Sequence, residues 1–365
     1  RRLASSRSAR GCVGPGASIE RMSTDLHELR AADASLDAFC ARVQQAAAAQ
    51  AAKVELEGEL PPRICVTGSS GYVGATLVRA LRLRGISTVG VDLLAAETTD
   101  VVASVADADA MRRAMAGCKG VFNTAALHAP HDRGHTEEEF HTVNVVGTEV
   151  VLTAAQEAGA DVVHSSTTSL LITAEAKAAM SRDEVVWLDE SDGKEPPRNK
   201  YGRTKQKAEA LCEAAAGRSN VMVLRISRCF PEDMLEASSL SLANGKANEL
   251  LGRRVALVDV VDAHLRAMVR ASQIKFGVFM LCAPWPFNKE ETPKSGTALA
   301  QLVKERFPEA STEYAKVDWK LPETITRVYD SSKAQEVLGW KPRWSFPTLL
   351  TSMHASSEEA LQGLL

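Results

Sequence analysis

Aromatic side chains are scarce: Phe, Trp and Tyr together make up 5% of the 365 residues. So few rings leave little for stacking on nucleobases or for an interfacial belt. A surplus of charge is missing too, with 43 basic against 46 acidic residues and a formal net charge of -3. Nucleic acid or an anionic membrane would call for a basic excess, so neither partner is expected. No apolar run approaches the roughly 20 residues needed to cross a bilayer. The seven cysteines, at 12, 40, 65, 118, 212, 229 and 282, are odd in number and form no CxxC pair. That argues against a disulfide framework or a cysteine zinc site and suits reduced thiols in a cytosol-like compartment. What the chain does have is length, enough at about 150 residues per domain for two domains or one large domain with additions.

Residues 1–21 are rich in Arg and Ser and contain one acid, Glu20. That composition fits an organellar transit peptide, a plain tail, or sequence upstream of a start at Met22. The expected location is therefore cytoplasmic, or organellar if the segment is a transit peptide. From Asp33, the residues Leu36, Phe39, Val43, Ala46 and Ala47 recur at helical spacing. Gly58 and Pro61-Pro62 end the run. One appended helix is expected, docked either on the main domain or on a partner.

Ile64-Cys65-Val66 has the length of a buried parallel strand. It leads into Thr67-Gly68-Ser69-Ser70-Gly71-Tyr72-Val73-Gly74, then a helical stretch, then a second strand ending in Asp92. Gly68 permits a tight turn, Gly71 admits a pyrophosphate close to the backbone, and Gly74 lets the helix pack on the sheet. The helix amino end, with its free N–H groups, receives the phosphates. A carboxylate at Asp92 accepts hydrogen bonds from ribose hydroxyls and repels a 2′-phosphate, which favours NAD over NADP. Further strands are expected at residues 120–126, 162–164 and 221–226, with a helix at 143–158. Alternation of this kind implies an α/β fold with a doubly wound Rossmann parallel sheet.

Tyr201 and Lys205 are four residues apart on an expected helix, so they share one face. A nearby ammonium favours the phenolate and suits the tyrosine to acid–base work near neutral pH. With these motifs in order, residues 63–350 resemble an extended short-chain dehydrogenase/reductase of the NAD-dependent epimerase/dehydratase type. Further matches are Asn123-Thr124-Ala125-Ala126, Asn144, Ser165-Ser166-Thr167, Leu224-Arg225, the run 259–264 and the stretch 330–342. The resemblance implies Tyr201 as acid/base and Lys205 on the nicotinamide ribose. It makes Thr167 the hydroxyl on the reacting oxygen and Asn144 a holder of site geometry. Gly68, Ser70, Gly71, Tyr72, Val73 and Gly74 would line the pyrophosphate, Ser104 and Val105 the adenine, and Ala125 and Ala126 the ribose and nicotinamide. His128 and Arg225 are candidate substrate contacts. It also implies a homodimer through a four-helix bundle made by residues 143–158 and 201–216 of each copy.

The expected organisation is an extension at 1–60, an NAD-binding domain at 61–230, mainly a smaller carboxyl-terminal substrate-binding lobe at 231–350, and a tail at 351–365. A strand near residues 255–258 is expected to return to the sheet. Thr168-Ser169 stand where dehydratases of this type carry Asp-Glu, which argues against a 4,6-dehydratase. Ser104 replaces a usual Asp, no Gly-Pro follows Leu224-Arg225, and Arg253 and Arg254 are out of register for gripping a diphosphate. A nucleotide-sugar epimerase therefore competes with a reductase of a non-sugar ketone, and both with a non-catalytic NAD-binding member. Arg225 and Asp259 read either as substrate groups or as part of a buried ion pair. His128, His131, His135 and His141 fit no common zinc spacing, so no metal is expected and a polar substrate loop is the simpler reading.

Overall fold

The computed structural model describes residues 34–128, 134–230 and 242–354. Residues 1–21, with their three readings, and His131 lie outside them. Among the described residues, helix α1 (Ala34–Ala51) comes first. A repeating βα chain follows: β1 (Arg63–Thr67), α2 (Tyr72–Leu83), β2 (Ser87–Asp92), β3 (Val101–Val102), α3 (Ala108–Ala114) and β4 (Gly120–Asn123). Next are α4 (Glu137–His141), a π-helical turn (Thr142–Val146), α5 (Gly147–Ala158) and β5 (Asp161–Thr167), then a 3-10 turn (Thr168–Leu171) and α6 (Ala174–Ser181). They lead to β6 (Val186–Leu188), α7 (Lys200–Ala215), β7 (Val221–Ile226), α8 (Leu242–Glu249), α9 (Leu257–Ile274) and β8 (Phe276–Leu281). The chain closes with α10 (Gly296–Arg306), α11 (Pro308–Lys316), β9 (Arg327–Tyr329), α12 (Ser332–Leu338) and α13 (Phe346–His354).

Seven strands form one sheet in the order β3-β2-β1-β4-β5-β7-β8, every neighbouring pair parallel. The central strands are buried on both faces: Ile64, Val66, Val121, Phe122, Val162 and Val163 are all fully enclosed. Apolar runs on both faces require helices above and below, and two separate clusters of buried side chains fill those layers. The strand order reverses between β1 and β4, which opens a crevice at their carboxyl ends. A third cluster, around Leu299, Tyr314, Val328 and Phe346, is the core of the smaller lobe. There β6 and β9 pair in a second, two-stranded sheet.

The appended helix docks on the main domain. Ala47, Ala48 and Ala51 of α1 are buried in the cluster that holds Leu77 and Leu81 of α2 and Val261 of α9. Small side chains let the helices approach closely.

The strand expected at residues 255–258 is not one. Val255 donates its N–H to the Arg228 carbonyl beside an isolated bridge, and Leu257 already belongs to α9. Val258, Val260 and Val261 lie in its first turns, which are buried all round. A four-residue apolar run fits either element by itself. The strand that returns to the sheet is β8, beyond residue 230, so the sheet and the lobe interleave.

Candidate active site

The turn after β1 behaves as its residue types dictate. Gly68 has φ +69°, and a Cβ there would sit 2.7 Å from the Ala125 nitrogen. At Gly74 a Cβ would fall 2.1 Å from the Gly68 carbonyl oxygen. These are cradles that any larger side chain would fill, and they place the ends of β1 and β4 against one another. Hydrogen bonds fix the turn on several sides. Ser69 donates its N–H to the Val91 carbonyl, and Thr98 Oγ1 donates to the Ser69 carbonyl at 2.6 Å. Ser70 N–H donates to Asp92 Oδ2 at 2.9 Å, which leaves that carboxylate at the rim of the turn. Leu94 N–H holds its other oxygen at 3.0 Å. Ser104 and Val105 are buried in the loop after β3, where Ser104 Oγ accepts from Ala106 N–H. The turn thus offers a helix amino end, a carboxylate and glycine positions without side chains, which fits a dinucleotide.

The second group gathers at the carboxyl end of β5. Thr167 ends that strand, and its Oγ1 accepts from Ser169 N–H at 3.1 Å, so the hydroxyl hydrogen remains for another acceptor. Asn199 caps α7 by accepting from Gly202 N–H at 2.6 Å. A Cβ on Gly202 would lie 2.7 Å from Pro197 Cβ and 3.2 Å from the Ser169 carbonyl oxygen. A glycine beside Tyr201 therefore lets the first turn of α7 close on the 3-10 turn that follows Thr167. One turn later Lys205 is buried, and its Nζ donates to the Ser165 carbonyl at 2.7 Å. Burial pulls its ammonium down to about 8.

Asn144 sits in the π-helical turn. Its Oδ1 accepts from Leu127 N–H at 2.9 Å, and its Nδ2 donates to the Leu127 carbonyl at 2.9 Å and Thr204 Oγ1 at 3.0 Å. One carboxamide thus ties the loop after Ala125 and Ala126 to α7, and Asn144 acts through that geometry. His128 stacks on Phe230, ring centroids 4.7 Å apart. Among the described residues, no group of three His, Cys, Asp or Glu has the spacing of a metal site. Among the described residues, no cysteine forms a disulfide.

Two expected substrate groups are used inward. Arg225 is buried; its guanidinium pairs with Glu209 at 2.9 Å and also donates to the carbonyls of Glu190 and Asp192. Its ion pair is therefore with Glu209. Asp259 is in no pair with it: its oxygens accept from the N–H groups of Arg343 at 2.8 Å and Trp344 at 3.1 Å. Arg253 and Arg254, with Arg228, surround Glu249 at 2.9, 3.1 and 2.6 Å. Sequence reasoning missed His164, Glu209, Glu249 and Gln44. For His164 a signal existed, a polar residue in an otherwise apolar strand; the others look like ordinary surface residues of helices.

Comparison with known proteins agrees with this fold. A sequence model of the NAD dependent epimerase/dehydratase family matches residues 64–279. Among curated proteins, a 4-hydroxy-2-methyl-3-oxo-4-farnesyl-3,4-dihydroquinoline-1-oxide ketoreductase of Stigmatella aurantiaca is 34% identical over 42% of this chain and 46% of its own length. The matches span about half the length of the curated relatives. Among solved structures, a short-chain dehydrogenase/reductase superfamily protein of Agrobacterium tumefaciens with bound NAD superposes with TM-score 0.58 at 22% identity, covering 82% of this chain and 98% of its own. The UDP-glucose 4-epimerase of Thermotoga maritima, solved with UDP-glucose, does so with TM-score 0.55 at 22% identity, covering 82% and 99%.

Proposed function

The chain belongs to the NAD-dependent epimerase/dehydratase family, and from that premise we propose that it transfers hydride between NAD and the carbon of a substrate hydroxyl or ketone. One observation carries the reading. α7 brings Tyr201 and the buried Lys205 to the strand end that presents Thr167, beside the crevice with the glycine-rich turn. Bound there, the nicotinamide supplies the hydride acceptor or donor. Tyr201 moves the matching proton at the substrate oxygen. Lys205 holds the nicotinamide ribose and favours the phenolate electrostatically. Thr167, whose oxygen already accepts from Ser169, donates to the substrate oxygen and orients it. Asp92 at the rim of the turn favours NAD over NADP through its charge. α5 and α7 lie side by side, as a four-helix dimer interface requires.

The reductase of a non-sugar ketone is the favoured form of this chemistry. The cations suited to a sugar diphosphate are held by carboxylates of the protein itself: Arg225 by Glu209, and Arg254, which is buried, by Glu249. The Stigmatella relative, a ketoreductase, points the same way.

The test is absorbance of the reduced nicotinamide during incubation with secondary alcohols, cyclic and aryl ketones, and UDP-sugars. Net NADH consumption with a ketone is expected. Tyr201→Phe should lower turnover by about 10²–10⁴-fold while NAD still binds. Bound NAD with no turnover on any substrate, and no effect of Tyr201→Phe in cells, would favour the non-catalytic reading. Interconversion of a UDP-sugar without net NADH change would favour the epimerase.

A further inference from the structure

Gln44 lies on α1, outside the residues matched by the family. Its Nε2 reaches across to the first turn of α2 and donates to two carbonyls, Gly71 O at 3.3 Å and Tyr72 O at 3.0 Å. A carbonyl and the N–H of the next residue belong to one planar amide. The Gly71 carbonyl thus shares its amide with Tyr72 N–H, and the Tyr72 carbonyl with Val73 N–H. The first N–H groups of an α-helix have no intrahelical acceptor and are the donors that meet a phosphate. A hydrogen bond received by the carbonyl polarises the amide and strengthens its N–H as a donor.

The carboxamide is also held from behind. Arg79 Nη1 donates to Gln44 Oε1 at 3.5 Å. That guanidinium is itself fixed by Glu97, through Nε at 3.2 Å and Nη2 at 3.1 Å. Three buried alanines, Ala47, Ala48 and Ala51, anchor the backbone of α1 one and two turns further on. The reach of Gln44 is therefore set by core packing as well as by its own rotamer.

We propose that Gln44 is a positioning residue of the cofactor site, through which the amino-terminal helix strengthens the N–H donors of Tyr72 and Val73 that hold the dinucleotide's pyrophosphate. The inference rests on the reading of the glycine-rich turn as an NAD site. It makes the appended helix a working part of that site.

The experiment is titration calorimetry of the full chain with NAD, ADP-ribose and adenosine, comparing wild type with Gln44→Met, which keeps length and loses both donors. Gln44→Leu is the second variant should the first fail to fold, and thermal melting without ligand is run in parallel. NAD and ADP-ribose should bind about five- to tenfold more weakly to the variant, roughly the worth of one hydrogen bond. Adenosine, which has no phosphate, should bind unchanged, and the melting temperature should stay within a few degrees. Unchanged NAD affinity would overturn the proposal, and so would an equal loss for adenosine, because a general disturbance of the fold acts on every ligand. Failure of wild type to bind NAD would instead sink the reading of the turn, and the proposal with it.

Discussion

Nζ of Lys205 lies 2.9 Å from Nε2 of His164, and both side chains are buried. The contact extends a polar chain through the sheet. Asn123 Nδ2 stands 3.0 Å from the other ring nitrogen of His164, and Thr67 Oγ1 donates to Asn123 Oδ1 at 2.7 Å. A neutral imidazole has one donor and one acceptor nitrogen. An ammonium at Lys205 requires a bare Nε2, hence a hydrogen on Nδ1 with the Asn123 oxygen turned to it; an amine at Lys205 allows the opposite set. The Thr67 hydroxyl serves either orientation, because it donates and accepts.

The charge of Lys205 should therefore govern the alkaline limb of activity. Burial pulls its ammonium down to about 8. Burial first, then Lys205 and His264, keep the His164 ring well below 6.5 and so neutral. Glu209 and Cys212 of α7 are the other titratable groups acting on Lys205. Turnover should fall as pH rises through about 8. His164→Leu removes an acceptor from the ammonium, and the limb should move to lower pH by roughly one unit, the equivalent of one hydrogen bond. The sign for folding is the reverse. The folded value lies below the unfolded one, so stability rises with pH from about 8 toward 10.5. A limb that stays in place in His164→Leu would refute the link.

Gly74→Ala should damage cofactor binding. Its Cβ would lie 2.1 Å from the Gly68 carbonyl and 2.7 Å from Thr124 Oγ1, and the backbone side of that clash has little room to move. A cost of about 1–3 kcal/mol is expected from such overpacking, visible as a lower melting temperature and at least tenfold weaker NAD binding. Wild-type behaviour in both measurements would contradict the close helix–strand packing.

Asp259 and His264 should oppose each other in acid. Burial pushes the Asp259 carboxyl up to about 7 from 3.8, against the pull of two backbone N–H groups. Across that window the folded state keeps a proton that the unfolded state loses, so this contribution falls as pH rises. Burial holds His264 at about 4 against 6.5, so its contribution falls as pH drops through that interval. Asp259→Asn should cost about 1–3 kcal/mol, because an amide cannot accept from both N–H groups. It should also lose stability more steeply than wild type between pH 7 and 4. Parallel urea unfolding curves at several pH values would show an equal slope if the two groups do not compensate.

Glu249→Ala should unfold the lobe at lower denaturant. One buried carboxylate holds Arg228, Arg253 and Arg254, of which Arg254 is itself buried. Its removal leaves an uncompensated buried charge, for which about 3–5 kcal/mol is expected. A loss under about 1 kcal/mol in urea unfolding would mean that water reaches the cluster.

The features legible in the sequence were those written locally. The turn from Thr67 to Gly74, the carboxylate at Asp92 and the four-residue spacing of Tyr201 and Lys205 each lie within one βα unit or one helix turn. Steric demands there admit few residue types, so their order identified the sheet and the family. The run at residues 255–258 failed the same treatment, because four apolar residues carry no period long enough to separate strand from helix.

By itself the sequence determined the doubly wound sheet and the glycine-rich turn after its first strand, since glycine sterics and apolar periodicity are properties of neighbouring residues. Only the tertiary structure decided which partners the charged and polar groups take. Arg225 found Glu209, Glu249 gathered three arginines, Lys205 met His164, and Gln44 crossed to Gly71 and Tyr72. The physical reason is that a buried polar group must be satisfied wherever the fold brings a partner, and chain separation says nothing about where that is.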